Sequence, residues 1–332
     1  MIPISILDLA HIVDGSDAAQ SFQHSVALAQ HAEKLGFERV WYAEHHNIAG
    51  VASSATSVLI AHIAAQTKSI RLGAGGVMLP NHSPLAIAEQ FGTLETLHPG
   101  RIDLGLGRAP GGDMATARAM RRNMSAGDRF GQDVAELLKY LGDKDPEDSS
   151  DVTAIPGVGT HVPVWILGSS LYGAQLAAEL GLPYAFASHF APQQLFQAAD
   201  LYRKAFYPSK YLDKPHFMFA CNVFAADTSE EAHYHFSSIV QAFAAMVTGK
   251  RGLLPRPVKD LELPDMVHQQ VSSMLQASAV GTKEEVTEQL QLFVDKLAPD
   301  EIIISSGFHD PAARLRSMEL VAELKNDLVI GQ

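Results

Sequence analysis

The sequence predicts a single (β/α)8 barrel domain that spans residues 1–332. Two observations support this prediction: strand-like and helix-like segments alternate to the end of the chain, and no second composition regime interrupts them. Eight such units need about 250 residues, so the excess length falls into insertions at 109–127, after strand 4, and at 249–280, between strands 7 and 8. A doubly wound open sheet is the alternative, because alternation cannot show whether the sheet closes.

The first four units follow the amino-terminal half of the chain. Their strands are short apolar runs at 1–10, 39–43, 70–74 and 102–107. Helical spacing of apolar residues follows each strand, at 17–35, 54–66, 84–98 and 128–141. Gly36 is a common stop signal after the first helix, and Ser83 is a capping residue before a proline at the first helical position.

The last four units complete the pattern with one additional helix. Their strands are predicted at 162–167, 184–188, 217–225 and 302–305. Their helices are predicted at 170–180, 192–206, 229–247 and 310–328, and the additional helix at 282–297. Thr228-Ser-Glu-Glu231 and Thr282-Lys-Glu-Glu285 match the capping box, in which a hydroxyl and a carboxylate each accept a backbone N–H.

Composition excludes several classes of protein. Hydrophobic residues make up 47% of the chain, which excludes a mainly disordered protein. The formal net charge of −12 argues against nucleic acid or an anionic membrane as a main partner. Cys221 is the single cysteine, so no intramolecular disulfide can form and a reducing cytoplasm is the expected location. No signal peptide or membrane-spanning segment is expected.

A barrel places its functional site at the carboxyl ends of the strands. Imidazole, small and hydroxyl side chains follow nearly every predicted strand, at His11, Glu44-His45-His46, Gly75-Gly76, Gly107-Arg108, Gly168-Ser169-Ser170, Ser188-His189 and Ser305-Ser306. The opposite strand ends carry ordinary loop residues. Loops are polar in general, but this asymmetry in histidine and glycine favours a site at one face.

The two adjacent histidines suggest acid–base chemistry more than a metal centre. Neighbouring residues on a strand point to opposite faces, so His45 and His46 can hardly chelate one ion together. Imidazole titrates near neutral pH, which suits a general base or a hydrogen-bonding group. A purely structural pair remains an alternative, and no metal ligand is predicted.

Three further motifs are compatible with an anionic, flat ligand. Arg108 directly follows a strand, and a guanidinium suits phosphate, although a salt bridge would also explain it. Gly168-Ser169-Ser170 leads into a helix N-terminus, which favours phosphate or simple capping. Gly75-Gly76 permits close approach of a flat ring, or an ordinary turn. A dinucleotide fingerprint starting at Gly105 fails at its sixth position, Pro110.

Together these motifs resemble the bacterial luciferase-like monooxygenase family. The matching segments are 41–46 (WYAEHH), 72–84 (LGAGGVMLPNHSP), 89–94 (EQFGTL), 99–108 (PGRIDLGLGR), 167–170 (LGSS) and 187–190 (ASHF). The likeness spans nearly the whole chain and is nearest to the uncharacterised single-subunit branch. The combination is specific, although each motif alone is not.

The resemblance implies a barrel that holds reduced FMN at its carboxyl-terminal mouth. In the family, reduced FMN reacts with O₂ to give a C4a-(hydro)peroxyflavin, which oxygenates an organic substrate. It implies that His45 and Glu44 are the catalytic residues. It further implies cofactor contacts from Gly75-Gly76, where relatives often have a non-proline cis peptide, and from Arg108, Gly168, Ser169, Ser170 and His189.

The sequence departs from the family pattern at two positions. Light-emitting members have cysteine before the arginine, where this chain has Gly107, so neither bioluminescence nor a long-chain aldehyde substrate is predicted. A second phosphate-binding arginine of the family aligns with Gln132, and Arg129, one turn earlier, is the possible substitute. The phosphate contacts are therefore incompletely predicted.

The resemblance also suggests partners. Without a nicotinamide fingerprint, reduced flavin is expected from a separate NAD(P)H:flavin reductase, and relatives suggest a homodimer formed through the second and third helices. The two insertions are the segments expected to form a lid. Alternatives are an F420-dependent oxidoreductase that transfers hydride, a non-catalytic flavin-binding protein and a metal hydrolase.

Overall fold

The structure is a computed structural model that describes residues 2–109, 114–120, 129–144 and 152–330. Its strands are β1 (Ile4–Asp8), β2 (Arg39–Tyr42), β3 (Arg71–Met78), β4 (Ile102–Gly107), β5 (Val164–Gly168), β6 (Tyr184–Phe186), β7 (Phe217–Ala225), β8 (Ser278–Gly281) and β9 (Glu301–Ser305). The parallel order β1 to β7 continues through β9 back to β1, so eight strands close into a barrel. The predicted barrel is confirmed.

Helices cover the outside of this barrel. They are α1 (Ala18–Lys34), α2 (Thr56–Ala64), α3 (Pro84–Leu97), α4 (Met114–Ala119), α5 (Phe130–Leu141), α6 (Leu171–Leu180), α7 (Leu195–Ala205), α8 (Ser229–Val247), α9 (Asp265–Met274), α10 (Lys283–Leu297) and α11 (Pro311–Leu324). The Thr228 side chain caps α8, and Thr282 and Glu285 form a full capping box at α10. The predicted caps therefore set these two helix starts.

The structure adds one strand to the predicted eight. β8 begins at the end of the predicted insertion 249–280, and it pairs with β7 outside the closed ring. This strand has only four residues, Ser-Ala-Val-Gly, and most of their side chains are small, so the sequence shows no strand pattern here. In the first insertion, 109–127, helix α4 is described, whereas residues 110–113 and 121–128 lie outside the described residues.

Side-chain alternation divides the apolar interior into two layers. Residues such as Ile6, Val40 and Ile304 belong to the large core between the strands and the helices. Their strand neighbours Leu7 and Trp41 belong to a smaller cluster that also contains Trp165, Met218 and Ile303 and fills the barrel. Successive residues on a strand face opposite sides, so both faces of this sheet are buried. Trp41 and Trp165 pack edge to face inside the barrel, with ring centroids 5.2 Å apart.

A buried charge network lies at the amino-terminal end of the barrel. The Arg39 guanidinium donates to both carboxylate oxygens of Glu301, at 2.8 and 3.0 Å, and to Asp103 at 2.7 Å. The carboxylates of Asp103 and Glu301 are almost fully buried. Burial opposes the charge of Arg39, but the two carboxylates outweigh it and raise the pKa of the guanidinium further above its ordinary value. This network occupies the strand ends opposite to the predicted site.

Candidate active site

A cavity of about 750 Å³ opens at the carboxyl ends of the strands. Every strand of the closed ring contributes a lining residue, within it or directly after it. Most of the wall is apolar, and its apolar members include Leu7, Leu9, Ile48, Val51, Ile239, Phe243, Met246 and Leu253. This volume and this lining are typical of sites for small molecules and cofactors.

The structure brings most of the predicted site residues together in this one cavity. The lining contains His45, Gly75, Gly76, Arg108, Gly168, Ser169, Ser170 and His189. Glu44 is buried and is not among the described lining residues. Arg129, the suggested substitute for a missing arginine, is near Asp133 (3.9 Å), and among the described lining residues neither it nor Gln132 occurs.

Glu44 is a buried carboxylate that holds three other groups. Its Oε1 accepts from Nε2 of His46 at 2.7 Å and of His82 at 2.8 Å, and its Oε2 accepts the Met78 backbone N–H at 3.0 Å. Burial alone would raise the pKa of the Glu44 carboxyl, but the hydrogen bond and charge of His82, with the bonds from His46 and Met78, lower it below its ordinary value. The carboxylate therefore fixes the end of β3.

The Gly75–Gly76 peptide bond is cis and lies in the cavity wall. The pairing between β3 and β4 shifts register between Ala74 and Val77, around these two glycines. A Cβ on Gly75 would lie 2.9 Å from Leu7 Cδ1, and one on Gly76 would lie 2.6 Å from the carbonyl oxygen of Gly105. No side chain fits at either position, so the wall is bare backbone here.

The second polar part of the cavity lies at the ends of β4 and β5. The Arg108 guanidinium carbon stands 4.1 Å from the ring centroid of Tyr172. Ser170 is the N-cap residue of α6, yet its side chain makes no capping hydrogen bond, while its carbonyl accepts from the Tyr184 hydroxyl at 3.2 Å. A Cβ on Gly168 would lie 3.6 Å from the Gly173 Cα, at ordinary contact distance, so the first turn of α6 lies against the end of β5. Hydroxyls, backbone N–H groups and a guanidinium thus converge at a helix N-terminus.

Three partly buried histidines, His11, His45 and His189, line the cavity wall. Burial lowers the pKa of His189 to about 3, with a smaller contribution from the charge of His45. Burial also lowers the pKa of His45, helped by the charge of Arg251 and opposed by Glu44. The Nδ1 atoms of His45 and His189 are buried without a hydrogen-bond partner within the described structure. Both rings are therefore neutral at pH 7.

His11 is a third wall histidine that the site prediction omitted. Burial lowers its pKa to about 4, together with the charge of Arg314 and against that of Asp8. Arg314 pairs with the buried Asp8 carboxylate at 3.0 Å, directly behind β1. The position of His11 after the first strand was the available signal, and it is the same signal that identified His45.

The roof of the cavity comes from α8 and the segment 250–255. Leu254 donates its backbone N–H to Ile12 at 2.9 Å and accepts that of Asp14 at 2.8 Å. A Cβ on Gly50 would collide with the carbonyl oxygen of Gly252, so this glycine lets the roof backbone rest on the loop after β2. Part of the insertion predicted as a lid thus lines the site. Lys250 and Arg251 belong to it, and sequence reasoning did not single them out.

We predict that the neutral histidines lower the free energy of unfolding in mildly acidic solution, at pH values well above those at which carboxylates are protonated. His11 and His189 bind protons near pH 6.5 when unfolded, but only near pH 4 and 3 when folded. The stability that they contribute is complete above about pH 6.5 and is lost as the pH falls, because only the unfolded chain gains protons. At pH 5 each should cost roughly 2 kcal/mol.

Urea unfolding at pH 7.5 and at pH 5.0 measures this loss. A His189→Phe variant should lose about 2 kcal/mol less than the wild type between these values, because one of the titrating rings is gone. An equal loss in both proteins would contradict the prediction.

No group of three or more His, Cys, Asp or Glu side chains arranged to hold a metal ion occurs in the described ranges. Within the same ranges, no helix has the length and the apolar character needed to cross a membrane.

A family model for luciferase-like monooxygenases matches residues 2–299. This chain belongs to that family. The resemblance drawn from the sequence motifs is therefore confirmed, and membership of the family makes the protein an oxidoreductase of the monooxygenase class.

Two relatives and one solved structure are similar over the full length. A luciferase-like monooxygenase of Escherichia coli (strain K12) is 52% identical over 99% of this chain and 98% of its own. The N-acetyl-S-alkylcysteine monooxygenase of Bacillus subtilis (strain 168) is 34% identical over 97% and 98%. The crystal structure of apo-MsnO8 matches with a TM-score of 0.87 at 34% identity, covering 100% of both chains.

Two more distant structures share the fold and differ in cofactor. The oxygenating constituent of 3,6-diketocamphane monooxygenase from Pseudomonas putida, solved with FMN, has a TM-score of 0.73 at 18% identity, over 100% of this chain and 99% of that one. An F420-dependent secondary alcohol dehydrogenase has a TM-score of 0.71 at 14% identity, over 99% of both. At these identities the likeness extends to the fold alone.

Proposed function

We propose that this protein is an FMN-dependent monooxygenase that uses reduced FMN and O₂ to oxygenate a small organic substrate. The observation that carries the proposal is that the cavity wall has two parts of different chemical character. One part of its wall is bare backbone at Gly75-Gly76, and another is the cationic, hydroxyl-rich end at Arg108, Ser169 and Ser170. A flat ring system joined to a phosphate needs both surfaces in one cavity.

The described residues fit such a cofactor. A ring can lie against the peptide planes at Gly75-Gly76, because no side chain is present there to prevent it. The phosphate would be held by Arg108, the Ser169 and Ser170 hydroxyls and the N-terminus of α6, where the helix dipole favours negative charge. His45 and His189 each have a buried ring nitrogen without a partner, a cost that a hydrogen-bonding ligand or water would relieve.

Reduced FMN, when bound, supplies the electrons with which O₂ is activated. The chain itself contributes a mostly apolar wall that excludes water, which protects reactive groups from side reactions. It also contributes His45, whose ring is neutral at pH 7 and can accept a proton in the cavity. Glu44 is proposed to be a positioning residue, because its carboxylate holds His46, His82 and the end of β3 in place.

The electron source is proposed to be a separate NAD(P)H:flavin reductase. The sequence has no nicotinamide fingerprint, and the dinucleotide-like glycines end at Pro110. A homodimer in the cytoplasm completes the proposal. Saturable NADPH oxidation by the pure protein would contradict the separate reductase, and a monomeric mass by light scattering would contradict the dimer.

Stopped-flow absorbance tests the proposed reaction. The protein is mixed with reduced FMN in the absence of oxygen and then with aerated buffer. Reoxidation of the flavin in more than one phase, slower than for free reduced FMN, is expected. A single phase indistinguishable from free flavin contradicts the proposal. Reduced F420 is run in parallel, and preferential binding of F420 would favour hydride transfer instead.

Replacing Arg108 by alanine is expected to weaken FMN binding about 10- to 100-fold. The guanidinium would donate charged hydrogen bonds to the phosphate, each with a value of about 1.5–3 kcal/mol. Fluorescence titration with FMN and with riboflavin measures the effect, and riboflavin binding should change little because it has no phosphate. An Arg316→Ala variant, at a surface ion pair with Asp227, is the control. Equal losses for both ligands would contradict a phosphate contact.

A further inference from the structure

The described lining of the cavity is positively charged, although the whole chain is strongly acidic. Its charged members are Arg108, Lys250 and Arg251, and no aspartate or glutamate is among the described lining residues. The chain as a whole has a formal net charge of −12. A wall of this sign attracts anions that the rest of the surface repels.

The three cations belong to two separate parts of the wall. Arg108 follows β4, next to the serines after β5. Lys250 and Arg251 lie in the roof, which is hydrogen-bonded to the segment after β1 and rests on Gly50 after β2. In the closed ring β2 is two strands from β4 and three from β5. The backbone that carries the roof cations is therefore anchored to a different part of the barrel rim from the proposed phosphate site.

Lys250 and Arg251 also differ from the neighbouring cations of the same segment. Arg256 lies 3.7 Å from the Asp14 carboxylate, and Lys259 lies 3.2 Å from that of Glu230. Neither Lys250 nor Arg251 has an ion pair with any carboxylate in the described part of the chain. The positive charge of Arg251 acts instead on His45, the proposed catalytic residue. Both residues line the cavity, so an anion held by this guanidinium would share the cavity with His45.

The surroundings of the two cations are apolar. Phe243 and Met246 on α8 and Leu253 in the roof line the same side of the cavity. A ligand that satisfies both features carries a negative group at one end and an apolar group at the other. A guanidinium binds a carboxylate in a planar, two-pronged geometry, which adds directional preference to the charge.

We propose that the substrate of this site is an organic carboxylate with an apolar substituent, whose carboxylate is bound by Arg251 and Lys250 in the cavity roof. The apolar substituent lies against α8, and the roof residues determine specificity without touching the flavin phosphate. This inference rests on the proposed function, because it names the substrate class of the same site.

Binding of matched acids and amides to the FMN-loaded full-length protein tests the proposal. The probes are ω-phenylalkanoates of increasing chain length and the corresponding amides, which differ in charge and little in shape. Calorimetry should show that the wild type prefers the best acid over its amide about tenfold or more. In the Lys250→Gln/Arg251→Gln variant that preference should fall to about twofold or less. Arg256→Gln, in the same segment but outside the lining, should keep it.

The outcomes separate this inference from the proposed function. FMN binding by the double variant should equal that of the wild type, and a loss as large as that of Arg108→Ala would show that the roof binds the flavin phosphate, which overturns the inference. Equal affinity for acids and amides in the wild type, or no binding of any acid, also overturns it while leaving the monooxygenase proposal intact. Failure of the wild type to bind FMN would overturn the proposed function, and the acid–amide comparison can still be made on the protein without FMN.

Discussion

Replacing His45 by alanine is expected to lower the rate of substrate oxygenation by about 10²- to 10⁴-fold. The imidazole lines the cavity at the end of β2, and its pKa is lowered by burial and by Arg251, so that it is a neutral base at pH 7. Alanine removes the proton acceptor and leaves the Gly75-Gly76 surface and the phosphate site unchanged. FMN affinity should therefore fall by no more than about tenfold, the value of the one hydrogen bond that the His45 ring could offer the cofactor.

Turnover with chemically reduced FMN and the best acid substrate measures this effect without a reductase. His62→Ala on α2 is the control, because this exposed ring bonds Gln66 and does not line the cavity. In the wild type the rate should hold above about pH 6.5 and fall only in more acidic solution, where His45 is protonated. A His45→Ala rate within about threefold of the wild type would remove His45 from the proposed chemistry.

Replacing Arg39 by methionine is expected to lower the free energy of unfolding by about 3–5 kcal/mol. The guanidinium bridges Asp103 and Glu301 inside the barrel, where both carboxylates are almost fully excluded from water. Methionine keeps roughly the length of the side chain but leaves the buried Glu301 carboxylate without its arginine, and Asp103 then has only the partly exposed Arg71 as its cation. The cost comes from those charges and not from lost packing.

Urea unfolding at pH 7.5 measures the change, with Arg316→Met as the control, whose stability should change little because its ion pair with Asp227 lies on the surface. Adding Asp103→Asn and Glu301→Gln to Arg39→Met should restore part of the stability, because the buried charges are then removed together. If the triple variant is no more stable than Arg39→Met, packing rather than charge explains the loss.

The barrel could be predicted from the sequence because most of its strands are short, mainly apolar runs between turn residues. The segments around Val40 and Ile304 show this clearly, since both faces of the sheet are buried and no alternation interferes. β8 could not be predicted, because four small residues do not differ from a loop until β7 pairs with them. The buried ion pairs of Arg39 could not be predicted either, because its partners are 64 and 262 residues away in the sequence.

Much of the candidate site could be predicted from one geometric rule, that strand ends of a barrel meet at one face. His45, Arg108 and Ser169 are remote in sequence and line one cavity for this reason. Arg251 lies in the second insertion, shortly after α8. In such a segment, sequence position does not predict where a side chain lies relative to the barrel axis. Glu44 and His45 both follow the end of β2 at Tyr42, so strand alternation could not predict that His45 lines the cavity while Glu44 holds the end of β3.

The path of β7 has a consequence for how this protein can change over evolutionary time. Met218–Asn222 of β7 pair with β9 and close the ring, while its last residues, Asn222–Ala225, pair with β8. The Ala226 backbone N–H then donates to the Gly281 carbonyl at 3.1 Å, so the excursion 226–281 leaves the sheet and returns to it at one point, the end of β7. We expect this excursion to behave as an exchangeable module: relatives can swap it, and with it their choice of substrate, while the half of the cavity that serves the cofactor is inherited unchanged.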